Sequence, residues 1–304
     1  MTAGRRAGWP ADGGAVDRLV PARWGGRLTS RPPVRLFGRA LGGLLILLLA
    51  FVSLAPFLVM VSTSLMDEFE VYQQPIRLLP AVPRWSNYPN ALTAFPFGRF
   101  FLNTFVFAVA VVAGQVVTSA LAGFAFARLR FPGRDRIFGV ILAVLMVPVV
   151  VILIPRFLLI NALGWVDTLH GIVVTELVSV WGIFLLRQSF QALPRELEDA
   201  ARLDGAGEWA IFWHVGLPAV RPALATLGLF AFIEAWKAYL WPLIATRSLD
   251  QRLVEVGVAS FHGLYYSNWP YQMAAAVTAV IPLLLVFLLA QRYFIKGIQL
   301  TGFK

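Results

Sequence analysis

Residues 195–222, R-E-L-E-D-A-A-R-L-D-G-A-G-E-W-A-I-F-W-H-V-G-L-P-A-V-R-P, form a charged island between two strongly apolar runs. They hold five of the sixteen acids of a 304-residue chain that is 59% hydrophobic and only 14% charged. The island reads as a short helix, a sharp turn and a second helix. Pro194 opens the first helix, where its missing N–H costs little. Glu196, Glu198 and Asp199 occupy its first turns and Arg202 its end, the arrangement that the helix dipole favours. Leu193, Leu197, Ala200 and Ala201 fall at i, i+4, i+7 and i+8, one face of a helix. Asp204-Gly205 ends it, because glycine accepts the left-handed backbone of a helix terminus. Trp209, Phe212 and Trp213 give the second helix an apolar face, within which His214 caps or packs. Pro218 and Pro222 bend the chain towards the next apolar run.

Outside the island the charges cluster, and the gaps between clusters define membrane spans. Soluble domains carry about a quarter charged residues, well above the fraction here. Residues 40–66, 100–127 and 137–155 carry no charge, 168–186 carry Glu176 alone, 222–246 carry Glu234 and Lys237, and 256–291 carry none. About 20 apolar residues cross the hydrocarbon core, so the expected fold is an all-α membrane protein with six transmembrane helices. The third and fourth are short and are interrupted by Pro148 and Pro155 or by Glu176. With six spans, the N-terminal arm, the loop at 128–136, the 187–222 loop and the C-terminal tail share one side and carry 19 Lys and Arg. The loops 67–99, 156–167 and 247–270 on the other side carry six. The excess of basic residues on cytoplasmic segments puts both termini, and the island between spans four and five, in the cytoplasm. The organisation is then a basic disordered arm at 1–36, a six-span domain at 37–292 and a cytoplasmic tail at 293–304.

The net charge of +10 is accounted for by cytoplasmic flanks facing anionic lipid, and no basic patch is interleaved with a nucleic-acid recognition motif. The first apolar run starts too late and is too long for a cleavable signal peptide. Without cysteine there are no disulfides or thiolate metal sites, and His170, His214 and His262 lack ligand spacing. No G-x-x-x-x-G-K-[ST] loop is present to cradle a nucleotide's phosphates, and no nucleophile, base and acid share catalytic spacing. The chain therefore reads as a non-enzyme with no bound cofactor or metal.

The island resembles the "EAA" loop of ATP-binding-cassette (ABC) importer permeases, whose pattern is E-A-A, two residues, D-G, then an aromatic and L-P. Here these positions are Asp199-Ala200-Ala201, Asp204-Gly205, Phe212 and Leu217-Pro218, with aspartate in place of the first glutamate and Glu198 just before it. From about Phe37 onward further strings follow in the family's order: S-T-S-L at 62–65, W-S-N-Y at 85–88, A-F-A-R-L-R-F-P-G-R at 125–134 and M-V-P at 146–148. L-G-W-V-D-T at 163–168, L-W-P-L at 240–243 and Q-R-Y-F-I-K-G-I at 291–298 complete the series. Together they are similar to the second permease subunit of the carbohydrate-uptake, maltose-type branch. The fifth span departs from the family's W-N-D or W-N-E, reading Trp236-Lys237-Ala238-Tyr239, and the tail is short and ends L-T-G-F-K.

The resemblance implies a multi-pass protein of a bacterial or archaeal plasma (inner) membrane. It implies that Glu198, Asp199, Ala200, Ala201, Asp204, Gly205, Phe212 and Pro218 belong to a coupling helix docking on a cytoplasmic ATPase. The implied partners are a second permease subunit, two ATP-binding subunits, an extracytoplasmic solute-binding protein and membrane lipid. ATP and Mg would be used by the ATPase, not by this chain. A sugar, polyol or glycerol phosphate would be the cargo.

Charges at membrane depth face protein or water. Glu234, Lys237 and Trp241 are expected on one face of the fifth helix, with Glu234 and Lys237 close enough to pair. They form either a translocation face, with Trp236 or Trp241 stacking on a sugar ring, or an internal ion pair locking the helix to a neighbour. Glu176 has the same two readings. Gly114 and Gly123 are expected to let the second helix pack closely. The rival classes are an ion-coupled carrier, which needs internal repeats that this sequence lacks, and a scaffold with no substrate path. ATP dependence separates them.

Overall fold

The computed structural model describes the backbone of residues 33–263 and 267–301 and the side chains of 41–263 and 267–289. Most of the N-terminal arm (1–32), the last three residues and the side chains of the Q-R-Y-F-I-K-G-I tail therefore lie outside the described residues. Among the described residues there is no β-strand, only an isolated bridge between His262 and Ser267.

Two compact units are distinguished, up to Leu54 and from Ala55 onward. The first holds most of α1 (Pro33–Ser64), on which every residue from Gly43 to Leu54 is exposed, as suits a helix solvated by lipid. The second is built around α3 (Phe97–Arg128), preceded by the short α2 (Asn87–Ala94). Then follow α4 (Arg134–Ala143), α5 (Val149–Ala162), α6 (Leu169–Val174), α7 (Val180–Gln191), α8 (Glu196–Leu203) and α9 (Glu208–Ile211). A π-helical turn (Phe212–Gly216) leads into α10 (Leu217–Ala219) and α11 (Arg221–Trp236). The chain ends with α12 (Leu240–Ala245), α13 (Val254–Ala259) and α14 (Trp269–Thr301).

Leu41–Ser64, α3 and Trp269–Leu289 are long and apolar enough to cross a membrane unbroken. Two further helix pairs are apolar enough only when taken together, each a broken span or a re-entrant loop: α4 and α5 meet at 102°, and the α9–α10 segment meets α11 at 75°. Prolines cause both bends. Val147 precedes Pro148 and is pushed to extended backbone (ψ 119°), which stops the preceding helix. Pro222 sits in the first turn of α11, where no intrahelical N–H is required. The stretch expected as the fourth span is two short helices, α6 and α7, parted at Thr175–Ser179. Thr168 and Ser179 cap them, accepting from the N–H of Gly171 and Gly182. The carbonyls freed in the gap go to α3, where Gln115 Nε2 donates to Glu176 O (2.9 Å) and Thr118 Oγ1 to Leu177 O (2.9 Å). That accounting lets a helix break where water cannot hydrate it.

α3 packs most extensively on α7 and α11. Lipid tails are as apolar as leucine, so helix association there depends on close fit. A Cβ added to Gly123 would stand 2.9 Å from Leu186 Cβ and 3.0 Å from the Arg187 backbone nitrogen. One added to Gly182 would stand 2.5 Å from Ser119 Oγ. Gly114 meets Leu177 in the same way, so both expected close-packing glycines are used against the α6–α7 segment. Three apolar clusters result, and two of them are large. One gathers Phe97, Phe100, Phe107, Trp236, Trp241 and Leu253; the other gathers Phe124, Leu186, Phe190, Ile211, Phe212 and Leu227. The second reaches into the charged island.

The strings S-T-S-L and W-S-N-Y form one structural joint. Asn87 Nδ2 donates to the carbonyls of Ser64 and Met66 (both 2.9 Å), and Tyr88 Oη meets Ser64 Oγ at 2.8 Å, closing the end of α1.

Candidate functional site

The island folds as helix, turn and helix. Arg195 stands at the N-cap of α8 and Glu196 begins its first turn, two residues later than Pro194 suggested. Gly205 adopts φ +84° after α8. Its N–H donates to Arg202 O (3.0 Å) and that of Ala206 to Ala201 O (2.9 Å), the paired bonds of a Schellman terminus.

The two acids at the head of the motif face opposite ways. Glu198 is buried, and its Oε1 lies 2.8 Å from Arg128 Nε at the end of α3, with 5% and 8% of the two side chains exposed. Arg128 Nη2 also donates to Leu193 O at 2.7 Å. One arginine thus ties α3 to both ends of the turn entering α8. Asp199 points outward and pairs with Arg202 (3.1 Å), which also meets Glu208 at 3.0 Å across the turn. Ala200 is exposed and Ala201 half-buried against the second cluster. Asp204 and Gly205 are exposed, and Pro218 is half-buried in α10.

Of the three aromatics expected to form one apolar face, only Phe212 turns inward. It is buried, edge-on to Phe124 with ring centroids 5.2 Å apart. Trp209 and Trp213 stay more than half exposed, as does Leu203 at 90%, with Leu197 close to half. π-helical turns recur at functional sites, and the one starting at Phe212 parts these faces. The island therefore has a buried underside anchored by Glu198, Ala201 and Phe212. Its outer side carries Leu197, Leu203, Trp209 and Trp213 beside the Asp199–Arg202–Glu208 ion network.

The polar residues at membrane depth are arranged differently from the expectation. Glu234, Lys237 and Trp241 do not share a helix face, because α11 ends at Trp236, Lys237 is its C-cap and Trp241 lies on α12. Pro242 is the cause: it cannot donate to Ala238 and its ring clashes with that carbonyl, so the helix must restart with proline in its first turn. No ion pair joins Glu234 to Lys237, and both are exposed. Trp236 is buried, with its Nε1–H donating to Ala279 O on α14 at 3.0 Å.

Glu176 pairs with Arg156 at 2.7 Å. The same guanidinium lies 3.8 Å above the Trp241 ring and hydrogen-bonds Thr175 Oγ1. Arg156 is absent from the sequence-based site because, as the charge that ends the uncharged run 137–155, it reads as the start of an external loop. It lies inside α5 instead. The signal available was Pro155 itself, which is tolerated within that helix.

Asp167 closes the loop between α5 and α6, at φ +61°. Its Oδ1 accepts from the N–H of Arg247 (2.8 Å) and Ser248 (2.9 Å), and its own N–H donates to Ala245 O (2.8 Å). Burial acts to raise its pKa, but these N–H groups, the Ser248 hydroxyl and the Arg247 charge outweigh it and hold the carboxyl below its ordinary value. The D-T of L-G-W-V-D-T thus clamps the end of α12 and caps α6.

Comparison with known proteins gives concordant matches. Residues 115–300 match the family described as "Binding-protein-dependent transport system inner membrane component". The sn-glycerol-3-phosphate transport system permease protein of Yersinia pestis bv. Antiqua (strain Antiqua) is 35% identical over 253 residues, 81% of this chain and 90% of that protein. The arabinooligosaccharides transport system permease protein of Halalkalibacterium halodurans is 30% identical over 84% of this chain and 93% of its own length. Among solved structures, a chain of a bacterial ABC transporter involved in the import of the acidic polysaccharide alginate aligns with TM-score 0.75 at 26% identity, covering 87% of this chain and 98% of that one.

Proposed function

This chain belongs to the family of binding-protein-dependent transport-system inner-membrane components, and from that membership we propose how it takes part in import. It is a multi-pass inner-membrane permease subunit of an ABC importer and not an enzyme. Its proposed cargo is a carbohydrate or a related polyol phosphate, as the names of its relatives suggest. Residues 37–292 form the permease domain, with six crossings once α6 and α7 together are counted as the fourth. The arm at 1–36, the tail at 293–304 and the 195–222 island then face the cytoplasm. The complete importer pairs the chain with a second permease subunit, two ATP-binding subunits that use ATP and Mg, and an extracytoplasmic solute-binding protein.

The observation that carries this reading is the two-sided island. A solvated loop has no reason to hold Leu203 at 90% exposure and Trp209 at 64% on a rigidly latched helix pair. Exposed apolar patches of that kind mark protein contacts. Leu197, Leu203, Trp209 and Trp213 dock in the ATPase subunit, with Asp199, Arg202 and Glu208 at the rim. Glu198, Ala200, Ala201, Asp204, Gly205, Phe212 and Pro218 hold the shape of the docked element. ATPase closure pushes the island, and Arg128 passes the displacement to α3 directly. Glu176, Glu234, Trp236, Lys237 and Trp241 belong to the pathway wall or its support, with Trp236 on the supporting side because its N–H is committed to α14.

Purifying the tagged chain from its native membrane in mild detergent tests the assembly. An ATPase, a second permease and a binding protein should accompany it, and Leu203→Glu should cost the ATPase while leaving the second permease bound. A chain recovered alone that still moves solute in liposomes would mean an ion-coupled carrier.

A further inference from the structure

Two interruptions of helical structure and one proline-bearing helix meet at one place. α5 carries Pro155 within its length, α6 and α7 part at Thr175–Ser179, and α12 restarts after the break at Lys237–Tyr239. Each contributes a group to one cluster: Arg156, then Thr175 and Glu176, then Trp241. Broken helices at membrane depth survive where they are packed in protein or line a cavity, and in transporters they build substrate sites.

The cluster is incompletely satisfied. Arg156 Nη2 is taken by Glu176 Oε1 and Thr175 Oγ1, yet Arg156 Nε is buried with no hydrogen-bond partner among the described residues. Trp241 Nε1 is buried and equally without a partner, on a side chain that is 6% exposed. The two orphan N–H groups belong to side chains in contact, with the guanidinium 3.8 Å from the indole centroid. Buried donors are nearly always paired, and an exception calls for an explanation such as a bound water or ion. Only an acceptor can satisfy both. Glu176 neutralises the arginine but keeps 35% of its side chain exposed, so the ion pair is open on the carboxylate side. A planar guanidinium with a donor to spare, held flat by an aromatic ring, suits the oxygens of a phosphate or carboxylate.

We propose that Arg156, with the indole N–H of Trp241, is the contact in this chain for an anionic polyhydroxylated solute, a sugar acid or polyol phosphate, and that Glu176 is the counter-ion which that solute's acidic group displaces. The inference rests on the importer reading and narrows its cargo to the anionic class. Glu234 and Lys237, which the sequence offered either to a translocation face or to an internal ion pair, take no part in the cluster.

The test uses the complete importer in proteoliposomes, with its binding protein outside and ATP inside. The probes are sn-glycerol 3-phosphate and an alginate trisaccharide as anions, and an arabino-oligosaccharide as the neutral control. Removing Arg156 alone would strand Glu176, so the informative variant is the charge-neutral double Arg156→Gln/Glu176→Gln. It should assemble at wild-type yield, transport the anion at least about tenfold more slowly, and move fewer molecules per ATP hydrolysed. Wild-type transport and coupling in the double variant would make the pair structural and overturn the proposal. Arg156→Lys keeps the charge and the pairing but loses the fork. It should also slow anion transport several-fold, and an unchanged rate would again overturn the proposal. Uptake of the neutral probe with neither anion moved would overturn the substrate class and leave the importer reading standing. Failure of the wild-type chain to associate with any ATPase would remove the importer reading itself.

Discussion

Arg128 and Glu198 are both withdrawn from solvent, and each is the other's near neighbour at 2.8 Å. A buried pair adds little over an apolar pair of the same volume, but removing one partner strands the other. Arg128→Met should therefore destabilise the assembled complex by about 3–5 kcal/mol, and Arg128→Met/Glu198→Leu should recover most of the loss. Thermal unfolding of the detergent-solubilised complex measures both, and a double variant no better than the single would mean that the two groups act separately. Asp167 gives a pH-dependent case. Its carboxyl is held below its ordinary value in the folded chain, so it contributes stability that is fully present above the unfolded pKa of about 3.9. That contribution is lost as the pH falls through the folded value. Asp167→Asn keeps a residue that tolerates φ +61° and removes only the charge. The variant should melt below the wild type at pH 7, with the gap closing below about pH 4. A gap of constant size from pH 7 to pH 3 would show that the charge contributes nothing.

At the scale of elements, α7 is seated on α3 through glycines, and the nature of what lies opposite sets the cost of losing them. Opposite Gly123 stands the Arg187 backbone nitrogen at 3.0 Å, which cannot swing aside as a side-chain tip would. Gly123→Val should cost at least about 1–3 kcal/mol by overpacking and separate α7 from α3. Gly139→Ala on α4, where an added Cβ meets nothing within 4 Å, should be neutral or stabilising. Equal melting temperatures for the two variants would mean that the close approach carries no energy. Both expected close-packing glycines were legible because small residues in an apolar run have few other uses. The island was legible for the opposite reason: charges in an apolar chain are conspicuous, and Asp204-Gly205 announces its own turn. Three things were not legible. Adjacent Glu198 and Asp199 cannot be told apart until Arg128 is brought to one of them from 70 residues away in sequence. Trp209, Phe212 and Trp213 look alike until the π-helical turn parts them. Arg156 counted as an external charge because each span was ended at the next charged residue, whereas α5 runs on past it to Ala162.

For the molecule as a whole, sidedness is the property on which everything else depends, since a coupling island outside the cell would have no ATPase to meet. The sequence argues it from basic residues alone, 19 against six, and moving Arg156 from the external loop into α5 only widens that difference. Counting α6 and α7 as one crossing gives six; counting them as a re-entrant hairpin would give five and put the two termini on opposite sides. The absence of cysteine from the entire chain makes the choice directly measurable, because any introduced thiol is the sole target for a maleimide. Leu79 on the segment after α1 and Leu203 on the island are 76% and 90% exposed, so neither substitution disturbs the core. In intact cells a membrane-impermeant maleimide should label Leu79→Cys and spare Leu203→Cys until the membrane is opened. Adding a third cysteine at Thr2, on the arm, decides the number of crossings. Protection of both Thr2→Cys and Leu203→Cys fits an even number of crossings between them, namely α1, α3, the α4–α5 pair and, as the fourth, α6 with α7. Labelling of Leu203→Cys from outside would put the exposed patch of Leu203 and Trp209 beyond the reach of any cytoplasmic ATPase, and the coupling role would have to be given up whatever its sequence resembles.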